Sequence, residues 1–194
     1  MLPVFLNLTG RPILVVGGGP VAAAKLAQLV AAGAEPSDVR VVAPDVVPAI
    51  AASGARIERR RFAASDVEGV WLVVAAASGP VNREVADAAA ARQVFVNAVD
   101  DPANASAFLG GVVRRSGVTV AISTDGAAPA IAGLLREGID ALLPQDLDAW
   151  MAEAGRQRED WRARGVPMEE RRGLLLEALN GLYDGKREAT RVKS

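Results

Sequence analysis

Three short segments of this sequence carry residue types that could bind a ligand or move a proton. They are a glycine-rich run, an acidic run and a hydroxyl-bearing run: Gly17-Gly18-Gly19-Pro20-Val21-Ala22, Asn97-Ala98-Val99-Asp100-Asp101-Pro102 and Ser123-Thr124-Asp125-Gly126. The 194 residues include neither His nor Cys. This excludes a disulfide framework, a thiol nucleophile, a Cys/His zinc site and a Ser-His-Asp triad. Acid–base chemistry must therefore come from carboxylates, Lys, Tyr or hydroxyls, or from a bound cofactor.

The glycine run has the G-x-G-x-x-A spacing of a dinucleotide-binding turn. It directly follows an apolar, β-branched run, residues 13–16, and opens an Ala-rich helical segment. In that context Gly17 allows a tight turn, Gly19 lets a pyrophosphate approach the backbone, and the helix N-terminus faces the phosphate charge. We therefore expect dinucleotide contacts from Gly17 to Val21. The alternative is a plain tight turn between a strand and a helix.

The residue after the second predicted strand bears on the choice between NAD and NADP. That strand, residues 39–42, is followed by Ala43-Pro44-Asp45. A carboxylate at this place can bind the ribose hydroxyls, but Asp45 could equally cap the next short helix. No Arg or Lys directly follows Asp45 to hold a 2′-phosphate, so we expect NAD.

The acidic and hydroxyl-bearing runs each have two interpretations. Asp100 and Asp101 follow a predicted strand at its carboxyl end, where open α/β sheets bind ligands, and could supply a general base. They could also form a solvated turn. Ser123 and Thr124 could cap a helix or hold an anionic group at its N-terminus. Arg114 and Arg136 are possible anion partners, although each could equally be an ordinary surface charge.

The elements expected around these residues form an α/β fold. Predicted strands at 13–16, 39–42, 56–62, 70–74 and 94–97 alternate with helices, which is typical of a doubly wound parallel sheet. After about residue 105 we expect one more strand, residues 117–123, and an amphipathic helix that opens at residues 123–126 and is ended by Pro144. Two helices follow, residues 147–164 and 167–183, with Gly185 after the second. A polar tail, residues 186–194, completes the chain.

The composition argues against nucleic acids and membranes as partners. The net charge is −1 and aromatic residues make up 4% of the chain. Both values argue against a nucleic-acid-binding surface. No apolar run reaches the roughly 18 residues of a membrane span, and the N-terminus lacks the pattern of a signal peptide. We therefore expect no membrane partner and a cytoplasmic location.

The motifs together resemble the precorrin-2 dehydrogenase and sirohydrochlorin ferrochelatase family, which includes the N-terminal half of siroheme synthase. The resemblance spans nearly the whole chain, and its motifs occur in the family's order. They are Leu2-Pro3-Val4-Phe5-Leu6-Asn7-Leu8, Val15–Ala22 with Lys25, Asn97–Pro102, and Val120–Thr124 with Ala128-Pro129 and Leu134–Glu137.

The resemblance implies an NAD-dependent oxidation of precorrin-2 to sirohydrochlorin, and in some members insertion of Fe2+ to give siroheme. It implies a Rossmann domain (1–105), a central dimerisation region (106–144) of a homodimer and a small helical domain (145–194). Asp100 becomes the catalytic residue, and the metal-guiding residue if the chain is a chelatase, while Asp101 becomes a turn residue. The implied site also includes NAD contacts at Pro44, Asp45, Ala76 and Ala77, and substrate contacts at Ser123, Thr124, Arg114 and Arg136. An NAD-sensing or ligand-binding module without turnover is the alternative from a different functional class.

Overall fold

A five-stranded parallel sheet organises the first half of the chain. The structure is a computed structural model that describes the backbone of residues 1–191 and the side-chain surroundings of residues 1–183. The strands are β1 (Ile13–Val16), β2 (Val39–Val42), β3 (Arg56–Glu58), β4 (Leu72–Ala75) and β5 (Phe95–Ala98), in the order β3-β2-β1-β4-β5. Every residue of β1 and β4 is buried. Burial on both faces explains why these strands read as continuous apolar runs.

Helices cover both faces of this sheet. They are α1 (Pro20–Ala31), the short α2 (Pro48–Ala51) and α3 (Gly79–Ala90), and 3₁₀ turns lie at Pro36–Asp38, Ala64–Val67 and Pro102–Asn104. Leu26 of α1 packs in one cluster with Val15 of β1, whereas Val85 of α3 packs in another with Leu14. Neighbouring strand residues thus point to opposite layers. This arrangement confirms the predicted α/β, Rossmann-like fold.

The next two strands form an antiparallel hairpin, of which the sequence predicted only the second strand. β6 (Gly111–Arg115) pairs with β7 (Val118–Ile122) through a two-residue loop. Ser116 and Gly117 in that loop both have positive φ, 48° and 81°. Positive φ at both loop residues is the requirement of a type I′ hairpin turn. The Ser-Gly pair between alternating apolar residues was therefore a usable signal for β6.

Three longer helices complete the described chain: α4 (Pro129–Leu142), α5 (Leu147–Arg164) and α6 (Met168–Arg191). The bounds of α5 are those predicted. Two expectations were wrong. α4 begins at Pro129 rather than at the turn of residues 123–126, and α6 continues through Gly185, because one glycine costs a helix only about 1 kcal/mol. The predicted polar tail overlaps α6, and its residues 192–194 lie outside the described residues.

The chain divides into two compact units. One comprises residues 1–110 with 123–129, and the other comprises residues 111–122 with the chain from 130 onward. In the second unit Arg115 joins the hairpin to the end of α4. Its guanidinium donates to the carboxylate of Asp140 at 2.6 Å and to the carbonyl oxygens of Asp140 and Leu143 at 2.9 and 3.2 Å. A cation there satisfies carbonyl groups that the helix leaves free.

No helix in the part of the chain that the structure describes has the length and hydropathy needed to cross a membrane.

Truncating a buried side chain at the centre of the sheet should lower the stability of the protein. Leu14 is fully buried in β1, so Leu14→Ala should lower the free energy of unfolding by about 3 kcal/mol through lost burial and an internal cavity. Leu176→Ala is the matched control, because Leu176 on α6 is 51% exposed and its truncation should change that free energy by less than about 0.5 kcal/mol. Denaturant titration measures both. Equal losses would contradict the assignment of β1 to the core.

Candidate functional site

A cavity of about 450 Å³ opens at the carboxyl edge of the sheet. The strand order reverses between β1 and β4, and ligands of open α/β sheets bind at such a switch point. The lining comes from the segments that follow β1, β2, β3 and β4. Its residues are Val16, Gly17, Gly18, Gly19, Val42, Ala43, Pro44, Asp45, Arg61, Phe62, Ala76, Ala77, Ser78, Val81 and Glu84.

At Gly17 and Gly18 the glycine loop passes too close to its neighbours for any side chain. A Cβ on Gly17 would lie 2.2 Å from the carbonyl oxygen of Ala76, and one on Gly18 would lie 1.8 Å from that of Asp45. Gly17 also has a φ of 126°. By contrast, a Cβ on Gly19 would meet nothing within 4 Å. Gly19 therefore faces open space, as the close approach of a pyrophosphate requires.

The N-terminus of α1 lies beside this open space. Gly19 is the N-cap, Pro20 and Val21 begin the helix, and no side chain caps its free N–H groups. Uncapped amides and the positive end of the helix dipole attract phosphate. The cavity, the open space at Gly19 and the uncapped N-terminus of α1 together fit a dinucleotide. Gly17, Gly18 and Gly19 would surround its phosphates, with Ala76 and Ala77 on the β4 side.

Asp45 lines the cavity from the β2 side, and its side chain is exposed. The N-cap of α2 is Val47, so the interpretation of Asp45 as a helix cap is wrong. The Val47 N–H donates to the Gly18 carbonyl oxygen at 2.8 Å, which joins the Asp45 loop to the glycine loop. Asp45 is thereby free to accept hydrogen bonds from a ribose, with Pro44 beside it.

Arg61 and Phe62 line the same cavity and were missed at the sequence level. The basic–apolar alternation of residues 56–62 predicted one strand, but β3 ends at Glu58. Residues 61 and 62 therefore lie in the loop beyond its carboxyl end. Buried Asp66 holds this loop: Arg60 donates to both of its carboxylate oxygens, at 2.6 and 2.8 Å, and the Ala63 N–H donates to Oδ2 at 2.9 Å. The hydrogen bonds from Arg60 lower the pKa of Asp66.

Asp100 follows β5 by two residues in an unusual backbone conformation. Its φ is 57° and its side chain is exposed. A non-glycine residue in the left-handed region stores strain that its surroundings must hold, and such residues concentrate at functional sites. Lys25 of α1 interacts with it electrostatically. Partial burial lowers the pKa of the Lys25 ammonium, and the negative charge of Asp100 acts in the opposite direction.

The neighbours of Asp100 fix its loop. Asp101 accepts a hydrogen bond from the Asn104 side chain at 2.7 Å, the contact of a turn residue. Asn97 is buried, and its Nδ2 donates to the Ala107 carbonyl oxygen at 2.9 Å. Its Oδ1 is buried without a hydrogen-bond partner among the described residues.

The predicted substrate residues fall into two places. Ser123 and Thr124 lie in a turn of the first unit, in which the Ala127 N–H donates to the Thr124 carbonyl oxygen at 2.8 Å. This turn packs on the Asp100 loop, because a Cβ on Gly126 would lie 3.0 Å from Cγ of Pro102. Arg114 is exposed on β6, and Arg136 on α4 pairs with Glu137 at 3.2 Å. Both belong to the second unit, and substrate contact by all four residues stays a prediction.

Carboxylate clusters that could hold a metal ion are absent from the described residues: no three acidic side chains come together there. The predicted metal contact, Asp100 alone with Fe2+ as a substrate, stays a prediction.

A methyl group on Gly19 should weaken cofactor binding without harming the fold. Gly19→Ala places its Cβ in the open space of the phosphate site, so the Kd for NAD, measured by calorimetry, should rise about 10-fold or more. Gly155→Ala on α5, where a Cβ also meets nothing within 4 Å, is the control and should leave the Kd unchanged. An unchanged Kd for Gly19→Ala would place the phosphates elsewhere.

Comparison with known proteins agrees with this geometry. Residues 4–111 match the NAD(P)-binding family model NAD_binding_7, which confirms the predicted cofactor, NAD. Siroheme synthase 3 of Aeromonas hydrophila is 44% identical over 176 residues, 88% of this chain and 37% of that protein. Siroheme synthase of Neisseria meningitidis serogroup C is 38% identical over 186 residues, 93% of this chain and 38% of that protein.

The chain thus spans well under half the length of these curated relatives. Among solved structures, "SirC, precorrin-2 dehydrogenase" superposes with a TM-score of 0.69 and 26% identity, covering 91% of this chain and 88% of that one. These similarities confirm the resemblance found in the motifs. The chain belongs to the NAD(P)-binding family NAD_binding_7 and is a homologue of the siroheme synthases and of the precorrin-2 dehydrogenase SirC.

Proposed function

We propose that this protein oxidises precorrin-2 to sirohydrochlorin with NAD, as a step of siroheme biosynthesis. The observation that carries the proposal is Asp100: an exposed carboxylate in the left-handed region, at the same sheet edge as the dinucleotide cavity. The names of the homologues support the substrate and the pathway. We also propose a cytoplasmic location, because the reaction would consume NAD as a free, diffusing reactant.

The reaction removes two hydrogens from the tetrapyrrole, one as a hydride and one as a proton. When bound, the nicotinamide supplies the hydride acceptor. The chain has to orient the substrate and take the proton, and Asp100 is the proposed base. Lys25 provides a positive charge near that carboxylate. Arg114, Arg136 and the hydroxyls of Ser123 and Thr124 are the proposed partners of the substrate's acidic arms, since guanidinium groups bind carboxylates in two-point geometry.

Replacing Asp100 should separate binding from turnover. Asn tolerates the left-handed region better than most residues, so Asp100→Asn keeps the loop and removes the base. We expect kcat for precorrin-2 oxidation to fall about 10²- to 10⁴-fold, with the Kd for NAD within about 2-fold of the parent value. NADH absorbance under anaerobic conditions measures the rate.

Asp101→Asn is the matched control and should retain turnover, because its amide oxygen can still accept the hydrogen bond from Asn104. Full activity of Asp100→Asn would remove Asp100 from the reaction. Tight NAD binding by the parent protein without any precorrin-2 oxidation would instead support the alternative, a sensing module. Cobalt or iron insertion into sirohydrochlorin, assayed on the same variants, tests the chelatase activity implied by the resemblance.

We further propose that the central region, residues 106–144 of the expected three-part organisation (1–105, 106–144 and 145–194), forms a homodimer. The supporting observation is an exposed apolar surface on α4. Ile131, Leu134, Leu135 and Leu142 are 53%, 69%, 49% and 83% exposed. Apolar side chains concentrated on one helix are typical of a protein interface.

A charge on this surface should disrupt the dimer. Leu134→Glu would bury an unpaired carboxylate in the proposed interface, which is strongly unfavourable, so light scattering should report a monomer. Leu176→Glu makes the same change at an exposed position of α6 and should leave the dimer intact. A dimeric Leu134→Glu variant would contradict the assignment of α4 to the interface.

A further inference from the structure

Asn82 is a polar residue on the buried face of α3. Its side chain is 4% exposed, and the other buried residues of this helix are all apolar: Val85, Ala86, Ala88 and Ala89. A buried amide is costly unless both its ends are hydrogen-bonded. The contacts of Asn82 therefore explain why an amide occupies this place.

Both ends of the Asn82 amide bind backbone groups beyond the ends of strands. The Ala77 N–H donates to Oδ1 at 2.9 Å, and Nδ2 donates to the Val99 carbonyl oxygen at 3.4 Å. Ala77 lines the dinucleotide cavity after β4, whereas Val99 directly precedes Asp100 after β5. One side chain thus connects the cofactor cavity with the Asp100 loop.

A backbone hydrogen bond accompanies this side-chain connection. The Val99 N–H donates to the Ala75 carbonyl oxygen at 2.9 Å, which continues the pairing of β4 and β5 by one step. The Asn82 amide adds a side-chain link between Ala77 and Val99 to this backbone contact. The Asn82 N–H donates to the Ser78 carbonyl oxygen at 2.8 Å, so the first turn of α3 holds the side chain in place.

The left-handed conformation of Asp100 has to be held in place by contacts of the residues beside it. A left-handed conformation at a non-glycine residue costs about 1–3 kcal/mol and persists only where neighbouring contacts hold it. Asn82 holds the carbonyl group on one side of Asp100, and Asn104 holds the side chain of Asp101 on the other.

We propose that Asn82 is a positioning residue that holds the Asp100 loop in register with the cofactor cavity through its paired hydrogen bonds to Ala77 and Val99. The catalytic part of this inference rests on the proposed function of Asp100. Its structural part, that Asn82 orders the loop, can be tested without turnover.

Asn82→Asp separates the two hydrogen bonds. The carboxylate still accepts from the Ala77 N–H, but it cannot donate to Val99 and places a negative charge against that carbonyl oxygen. We expect the Kd for NAD to stay within about 2-fold, while kcat falls about 10- to 100-fold because the base is misplaced. Amide hydrogen exchange at Val99 and Asp101 should become at least about 10-fold faster, with the glycine loop unchanged.

Gln93→Glu is the matched control, the same change from amide to carboxylate at an exposed residue beyond α3. It should alter none of the three measurements. Should Asn82→Asp fail to fold, Asn82→Ser removes both bonds. It should raise the Kd, lower kcat and speed the same exchange.

Unchanged exchange at Val99 and Asp101 in a folded variant would overturn the inference, as would unchanged kcat beside a raised Kd. If the parent protein does not oxidise precorrin-2, the proposed function fails. The exchange measurement then still decides whether Asn82 orders the loop.

Discussion

The site depends on the close passage of one backbone segment between two others. The glycine loop after β1 runs between the chain leaving β2 and the chain leaving β4, at separations that leave no room for a Cβ on Gly17 or Gly18. The hydrogen bond from Val47 to the Gly18 carbonyl oxygen holds one side. Because the loop is held there, Gly19 and the uncapped start of α1 face open space. The parallel sheet brings all three segments to the same edge.

The proposed reaction needs neither His nor Cys. The proposed reaction takes its hydride acceptor from the cofactor, so the chain must supply one base and accurate placement. Asp100 follows β5 of the same sheet. Hydrogen bonds to Val99 and Asp101, the residues on either side of it, hold its strained backbone in place. The proposed role of Asn82 is likewise one of placement. Its side chain takes no part in the reaction but connects the cofactor cavity with the Asp100 loop.

Much of this site could be predicted from the sequence because its signals are local. Four of the five strands, β1, β2, β4 and β5, are largely apolar runs, and the glycine spacing lies within six residues. Asn82 could not be found this way, because a polar residue on an Ala-rich helix is typical of an exposed face. Its partner Val99 is 17 residues away along the chain. Arg61 and Phe62 were missed because the alternating pattern of the sequence continues past Glu58, where β3 ends. The contacts of Asp66 that hold the following loop are not visible in that pattern. By contrast, β6 had a local signal in its Ser-Gly turn.

The most direct test of the account is an anaerobic single-turnover experiment. The full chain, saturated with NAD, is mixed with precorrin-2, and NADH and sirohydrochlorin are followed together by absorbance. The account predicts that both appear at the same rate and in equal amounts. Saturable NAD binding with no NADH formed would contradict it and would leave a binding module in place of a dehydrogenase.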